Sequence, residues 1–134
     1  CSSDLKVFQS DRPNETTWKI SFPSDKVGYV TIQSYNPDSL AKQQRVAKTI
    51  DGGETWKEIN LVEDANAREF GVGFIDENHG FVGTMNNGYE TKDGGLTWTP
   101  VNLGMACNKI KIYKNANGKI YGYSIGVDVM KAEF

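Results

Sequence analysis

Two stretches of the chain have nearly the same sequence: Thr49-Ile50-Asp51-Gly52-Gly53-Glu54-Thr55-Trp56 and, 42 residues later, Thr91-Lys92-Asp93-Gly94-Gly95-Leu96-Thr97-Trp98. Consecutive glycines permit the positive φ angles of a tight turn, and an aspartate before them can accept backbone N–H groups across that turn. The Thr-Trp pair that follows suits the start of a strand, where β-branched and aromatic side chains pack well. Each stretch therefore predicts a strand–turn–strand, and the fixed spacing predicts a repeat architecture.

A second motif lies upstream of each of these turns. Residues 22–30, with the sequence FPSDKVGYV, match residues 74–82, with the sequence FIDENHGFV, and residues 112–120 form a weaker third copy. Before the two clear copies, apolar side chains occur at every second position: Trp18, Ile20 and Phe22 in one, and Phe70, Val72 and Phe74 in the other. This period of two residues is typical of a half-buried strand.

The motifs divide the single domain, residues 1–134, into repeat units at residues 17–61, 69–103 and 108–134. Each unit has strands a, b, c and d, predicted at 17–23, 28–34, 44–50 and 54–61 in the first unit, and at 69–75, 80–86, 88–92 and 96–103 in the second. In the third unit Lys131 aligns with Asp93, so we expect its turn motif to have lost the aspartate and its strand d to be missing. The alternating residues 4–8 are expected to supply that strand.

Repeated four-stranded antiparallel sheets are the blades of a β-propeller, so the predicted fold class is all-β with about three blades, the last completed by the N-terminal strand. Propellers close with roughly four to eight blades. The sequence leaves three alternatives open: a piece of a longer propeller, a homodimer that completes a six-bladed ring, or a monomeric partial propeller or flattened sandwich.

The eight-residue motif resembles the Asp-box (BNR) repeat, through Thr49, Asp51, Gly53, Thr55 and Trp56, and through Thr91, Asp93, Gly95, Thr97 and Trp98. The whole unit resembles the propellers of the photosystem II stability/assembly factor family, from Phe22 to Leu61 and from Phe74 to Leu103. The resemblance implies that the Asp boxes are structural turns at the blade periphery. It also implies a binding or assembly scaffold rather than an enzyme. The family's photosystem role is not carried over, because known plant and cyanobacterial members have more blades.

Composition narrows the classes of partner and the location. The net charge is −2 and the sequence pI about 5.4, with no Lys/Arg stripe, which argues against nucleic acid. The sequence contains no apolar run of the roughly 18 residues that a membrane span needs. The start, Cys1-Ser2-Ser3-Asp4, is typical of a processed bacterial lipoprotein with a lipid on Cys1, although a cloning junction is an equal alternative. We expect an exported protein, in the periplasm, the outer membrane or at the cell surface, with membrane contact only through Cys1.

The candidate chemistry favours binding over catalysis. We predict no catalytic residues and no cofactor. We also predict no metal site, because each Asp box offers one carboxylate and a hard cation needs several oxygen ligands. A sialidase-like glycoside hydrolase or a carbohydrate-binding module is the alternative, although the arginines available for a sialidase triad are only Arg12, Arg45 and Arg68. The predicted function is a non-enzymatic scaffold for a protein or glycan partner.

One insertion exceeds what the repeat requires. From Gly28 to Asp51 is 23 residues, whereas the equivalent interval from Gly80 to Asp93 is 13. Binding residues are often carried on loops that a rigid scaffold presents, although such an insertion is also tolerated without a function. The candidate binding-loop residues are Tyr35, Arg45, Asn86 and Asn87.

Overall fold

A computed structural model describes residues 5–10, 12–34, 44–62 and 69–134 of the chain. The first sheet contains β1 (Glu15–Ser21), β2 (Gly28–Ser34), β3 (Gln44–Thr49) and β4 (Lys57–Val62). The second contains β5 (Glu69–Phe74), β6 (Gly80–Thr84), β7 (Asn86–Thr91) and β8 (Thr99–Met105). The third contains β9 (Lys109–Lys114), β10 (Ile120–Ile125) and β11 (Val129–Glu133).

Each sheet is an antiparallel meander whose strands follow one another in chain order. This arrangement confirms the all-β fold class and the predicted order of strands a to d in the first two blades. The described ranges contain no helix, and so none that is long and apolar enough to cross a membrane. The three blades form an arc, because β5 packs against β1 and β2 on one side and against β9 on the other.

The N-terminal segment does not complete the third blade of its own chain. Residues 5–8, the described part of the predicted strand 4–8, form no strand, and the third sheet has three strands in the described ranges. Phe8 packs instead against Trp56 of the first blade, with 5.9 Å between the ring centroids. The predicted intrachain closure is therefore wrong, because the second blade lies between the first and the third in the arc.

The register predicted for the third unit is also wrong. Lys131 lies inside β11, where it pairs with Tyr123, and not in a turn that matches the position of Asp93. The alignment of Lys131 with Asp93 would also place Gly126 at Gly88 of β7, but Gly126 lies in the turn between β10 and β11. The reason is length: β10 is one residue longer than β6, and the turn after it is also longer, so strand c of this blade begins later.

The main core lies between the first and second blades. It is built from alternate residues of the strands, since successive side chains of a strand point to opposite faces. We call the face of each blade toward the next blade in the chain its trailing face, and the opposite face its leading face. Trailing-face residues of the first blade and leading-face residues of the second form one buried cluster: Val27, Tyr29, Val46, Leu61, Val72, Phe74 and Val82.

A smaller cluster lies on the leading face of the first blade. Val30, Ile32 and Ala47 are buried there, and the partly buried rings of Phe8 and Trp56 pack against them. These residues alternate along β2 and β3 with Tyr29 and Val46 of the main core, which places them on the opposite face. No other blade covers this face in the described structure.

Candidate functional site

The first Asp box is a turn closed by its own side chains. The Thr49 hydroxyl donates to Asp51 Oδ1 at 2.8 Å and accepts the N–H of Gly53 at 2.9 Å. Asp51 in turn accepts the N–H of Thr55 at 2.9 Å and the hydroxyl of Thr55. Gly52 and Gly53 have φ angles of 74° and 93°, the left-handed region that glycine adopts without strain.

The second box repeats this network almost bond for bond. The Thr91 hydroxyl donates to Asp93 Oδ1 at 2.9 Å and accepts the N–H of Gly95 at 2.8 Å. Asp93 accepts the N–H of Thr97 at 2.9 Å and its hydroxyl at 2.5 Å. Hydrogen bonds from Thr55 and Thr97 lower the pKa of Asp51 and of Asp93 from 3.8 to about 2. Both carboxylates are therefore ionised and hydrogen-bonded within their own turns.

The two box tryptophans differ in their surroundings. Trp56 Nε1 donates to the Gly53 carbonyl at 3.0 Å, whereas Trp98 packs against the main core and its buried Nε1 has no partner in the described part of the chain. The described residues also contain no group of three or more metal-ligating side chains. Within the described residues, the carboxylate of each box accepts its hydrogen bonds from residues of its own turn.

The second box also joins two blades. Lys48 of the first blade donates to the Gly94 carbonyl at 2.9 Å, and its ammonium lies 5.3 Å from the centre of the Tyr29 ring. The Tyr29 hydroxyl donates to the Glu77 carbonyl of the second blade at 2.7 Å. Burial, and then the nearby carboxylates of Glu77, Asp76 and Asp93, raise the pKa of Tyr29 to about 12, so the phenol stays a donor.

The strongest candidate for a binding site is an apolar cleft between the second and third blades. Its volume is about 210 Å³. The side chains that line it come from β6, β8, β9 and β11 and from the C-terminal residue: Phe81, Leu103, Ile110, Ile112, Met130 and Phe134. We call this site the interblade cleft.

The cleft exists because the third blade has smaller residues at the junction. Gly122 is the third residue of β10, the position that Val82 fills in β6. A Cβ on Gly122 would lie 3.0 Å from the Phe134 ring and 3.2 Å from Ile112. The two blades are joined instead by a hydrogen bond from the buried Ser124 hydroxyl to the Leu103 carbonyl at 2.9 Å.

Polar groups border one end of the interblade cleft. His79 Nε2 lies 2.7 Å from Glu90 Oε1, and Lys92 Nζ lies 3.7 Å from the same oxygen. The His79 ring also contacts Phe81 and Phe134, with centroids 5.3 Å and 6.0 Å away. Glu90 lines the cleft, so an apolar interior has a carboxylate beside it, whereas the Lys131 ammonium lies over the Tyr121 ring on the trailing face of the third blade.

The structure does not bring Asn86 or Asn87 into this cleft. Asn86 and Asn87 are exposed near the tip of the β6–β7 hairpin, where Asn87 has a φ of 95°. Arg45 lies in β3, its backbone opposite Ile32, and its side chain is outside the described part. Tyr35 and Cys1 are outside the described residues. The sequence signal for the cleft was weak: Met130 and Phe134 lie in the unit whose register was misplaced.

Comparison with known proteins finds similarity both in sequence and in fold. Over 50 residues, the chain is 42% identical to the Photosystem II assembly lipoprotein Ycf48 of Prochlorococcus marinus, a match that covers 37% of this chain and 14% of that protein. A solved structure of YCF48 bound to D1 peptide has a TM-score of 0.58 at 21% identity and matches 88% of this chain. The GH74 enzyme of Niastella koreensis has a TM-score of 0.59 at 17% identity and matches 85%. No protein-family model matches the chain.

These matches confirm the β-propeller fold and the resemblance to the photosystem II assembly factors. The chain covers 41% of the solved YCF48 chain and 22% of the GH74 enzyme, so it spans less than half of each relative. At this level of identity the two structures establish the fold and no more. The three blades of this chain therefore correspond to part of a propeller ring.

Proposed function

We propose that the chain is a non-enzymatic binding scaffold that holds an extended segment of a protein partner, and that the interblade cleft receives one apolar side chain of that segment. The observation that carries the proposal is the cleft itself, an open apolar site at the junction between the second and third blades. The interiors of proteins are close-packed, so an unfilled apolar cleft of this size indicates a place where a ligand group binds.

The size of the cleft indicates what it can hold. A cavity of about 150 Å³ accommodates a molecule the size of benzene. A volume of about 210 Å³ therefore suits a single aromatic or branched aliphatic side chain, and not a drug-sized ligand. Met130 adds an adaptable thioether to the wall, a residue that fits side chains of several shapes.

The charges beside the cleft suit the backbone and neighbours of a peptide. Glu90 of the second blade offers a carboxylate acceptor next to an apolar interior, and the Lys92 ammonium lies beside that carboxylate. One solved protein of the same fold is a peptide complex, YCF48 bound to D1 peptide, which supports a peptide as the class of ligand. We propose no photosystem role.

Export and lipid attachment are part of the proposal. The curated relative is named a lipoprotein, which supports the expectation that Cys1 carries a lipid and that the protein acts outside the cytoplasm. Labelling of the full chain with a palmitate analogue, in wild type and Cys1→Ser, tests it. Label retained in the Cys1→Ser chain contradicts the assignment.

The exposed loop residues provide a second contact region in the proposal. Asn86 and Asn87 lie at a hairpin tip, Tyr35 belongs to the predicted insertion of the first blade, and Arg45 lies near the start of β3. The pair Asn86→Ala and Asn87→Gly removes the amides while keeping the positive φ that glycine accepts. We expect this pair of substitutions to weaken partner binding without changing stability, as read from binding titrations and thermal melts.

The decisive experiment uses a peptide library with one fixed apolar residue at its centre. We expect peptides with a central Phe or Leu to bind wild type and to lose at least about tenfold in affinity on Met130→Asp, because a carboxylate in the cleft would be desolvated. Leu96→Asp, which changes an exposed side chain outside the cleft, is the matched control. Equal binding to both variants would overturn the proposal.

The alternative is glycan binding or hydrolysis of the sialidase type. A propeller that serves an enzyme, the GH74 protein, shares the fold, which keeps the alternative worth a test. Hydrolysis of a chromogenic sialoside by the wild-type chain would favour it. A glycan array that shows binding unchanged by Met130→Asp would place the partner site elsewhere and support the carbohydrate-binding alternative.

A further inference from the structure

No other described blade covers the leading face of the first blade, and part of this face is exposed although its residues match a buried face. Along β1 and just after it, Trp18, Ile20 and Phe22 have exposed fractions of 45%, 60% and 44%. Their equivalents in the second blade, Val72 and Phe74, are each 5% exposed because the first blade covers them. A contiguous set of exposed aromatic and aliphatic side chains of this kind marks an interaction surface.

The trailing face of the third blade carries a tyrosine and a lysine like the pair on the first blade that lies against Phe74. Tyr121 is the second residue of β10, the position of Tyr29 in β2. Lys131 Nζ lies 4.6 Å from the centre of the Tyr121 ring, much as Lys48 Nζ lies 5.3 Å from that of Tyr29. Lys48 is directly opposite Tyr29 in register, whereas Lys131 is opposite Tyr123 and reaches Tyr121 diagonally.

We infer that the trailing face of the third blade docks on the leading face of the first blade of a second copy of this chain. The observed junction between the first two blades provides the template. Tyr121 would cover Phe22 of the second copy as Tyr29 covers Phe74, and Lys131 would approach the carbonyl of Gly52 as Lys48 approaches that of Gly94. The two faces are thus complementary to each other and not to themselves.

Two copies close the ring. Six blades fall within the range at which propellers close, roughly four to eight, and the head-to-tail contact is made twice around a twofold axis. The inference adds to the proposed function without depending on it, because each interblade cleft lies between the second and third blades of one copy.

The test measures mass in solution by light scattering coupled to size exclusion. We expect the wild-type chain to have twice its 14.9 kDa mass, and Phe22→Arg and Tyr121→Glu each to have the monomer mass. Leu96→Arg, at an exposed position of the Asp box, is the control that should remain dimeric. Far-UV circular dichroism shows that each variant keeps its β-sheet content.

Mixing the two variants separates interface loss from misfolding. In a mixed dimer one junction keeps the wild-type Tyr121 and Phe22, and the other places the introduced glutamate against the introduced arginine, so the mixture should recover the dimer mass. A wild-type chain that stays monomeric at its highest soluble concentration would overturn the inference, as would a trimer or an open polymer. A dimer that survives Phe22→Arg would overturn it too. Peptide binding by the Phe22→Arg monomer reports on the proposed function separately.

Discussion

The rings of Tyr29 and Phe74 lie parallel, with 3.7 Å between their centroids and 5° between their planes. Tyr29 belongs to the first blade and Phe74 to the second, so this pair packs the sheet of one repeat unit against the sheet of the next. Both rings are almost fully buried, at 0% and 5% exposure. The pair is therefore the centre of the interblade core.

Replacing Phe74 by Ala should destabilise the protein by about 3–5 kcal/mol, the range for large-to-small changes of a buried aromatic. The lost ring leaves a cavity between two blades that cannot collapse without moving a sheet. Urea unfolding at one fixed protein concentration measures the change. Leu96→Ala, at an 84% exposed side chain, should stay within about 0.5 kcal/mol of wild type. A similar loss in both variants would contradict the assignment of the core.

The two Asp boxes provide a matched pair of glycines. Gly53 and Gly95 have φ angles of 93° and 90°, so alanine at either position costs about 1–2 kcal/mol of backbone strain. A Cβ on Gly53 would meet Trp56 at 3.6 Å, an ordinary contact, whereas one on Gly95 would lie 2.6 Å from Ile59 of the first blade.

Gly95→Ala should therefore be less stable than Gly53→Ala by a further 1–3 kcal/mol or so, roughly the usual penalty of overpacking. Thermal and urea unfolding of the two variants measure the difference. Equal destabilisation would show that the second box does not press against the first blade.

Acid should weaken the fold through the box aspartates. Their pKa values fall from 3.8 to about 2 on folding, so their contribution is complete above about pH 4 and is lost as the pH falls from about 4 to about 2. Urea midpoints measured across this range should decrease for wild type. The double variant Asp51→Asn and Asp93→Asn cannot titrate at these sites and should show a shallower slope. Parallel curves for the two proteins would contradict this account.

The Cys107 thiol should be inert in the folded state. It is fully buried, and burial raises its pKa, so little thiolate forms and no reagent reaches it. In a Cys1→Ser background, a thiol reagent such as Ellman's should react slowly with the native protein and stoichiometrically after denaturation. Rapid reaction in native buffer would show that the segment between the second and third blades opens readily.

The local elements were predictable from residues close together in the chain. The Asp-Gly-Gly turns follow from φ angles that only glycine adopts freely, and the alternating Trp18, Ile20 and Phe22 mark a strand. The b–c hairpin at Asn86 and Asn87 was also placed within a few residues. Register in the third unit was not predictable, because a longer β10 and turn leave no signal that distinguishes Lys131 in a strand from Lys131 in a turn.

The sequence by itself determined the type of fold, because the side chains that close each turn lie within eight residues of one another. The tertiary structure alone decided what lies between the blades. Whether Gly95 touches Ile59, whether Gly122 leaves a cleft beside Phe134, and which aromatic faces stay uncovered all depend on how two sheets meet. Such contacts join residues distant in the chain, and packing them is a property of shape that no local pattern encodes. The sequence therefore identified the blades, and the structure located the cleft and the two complementary faces.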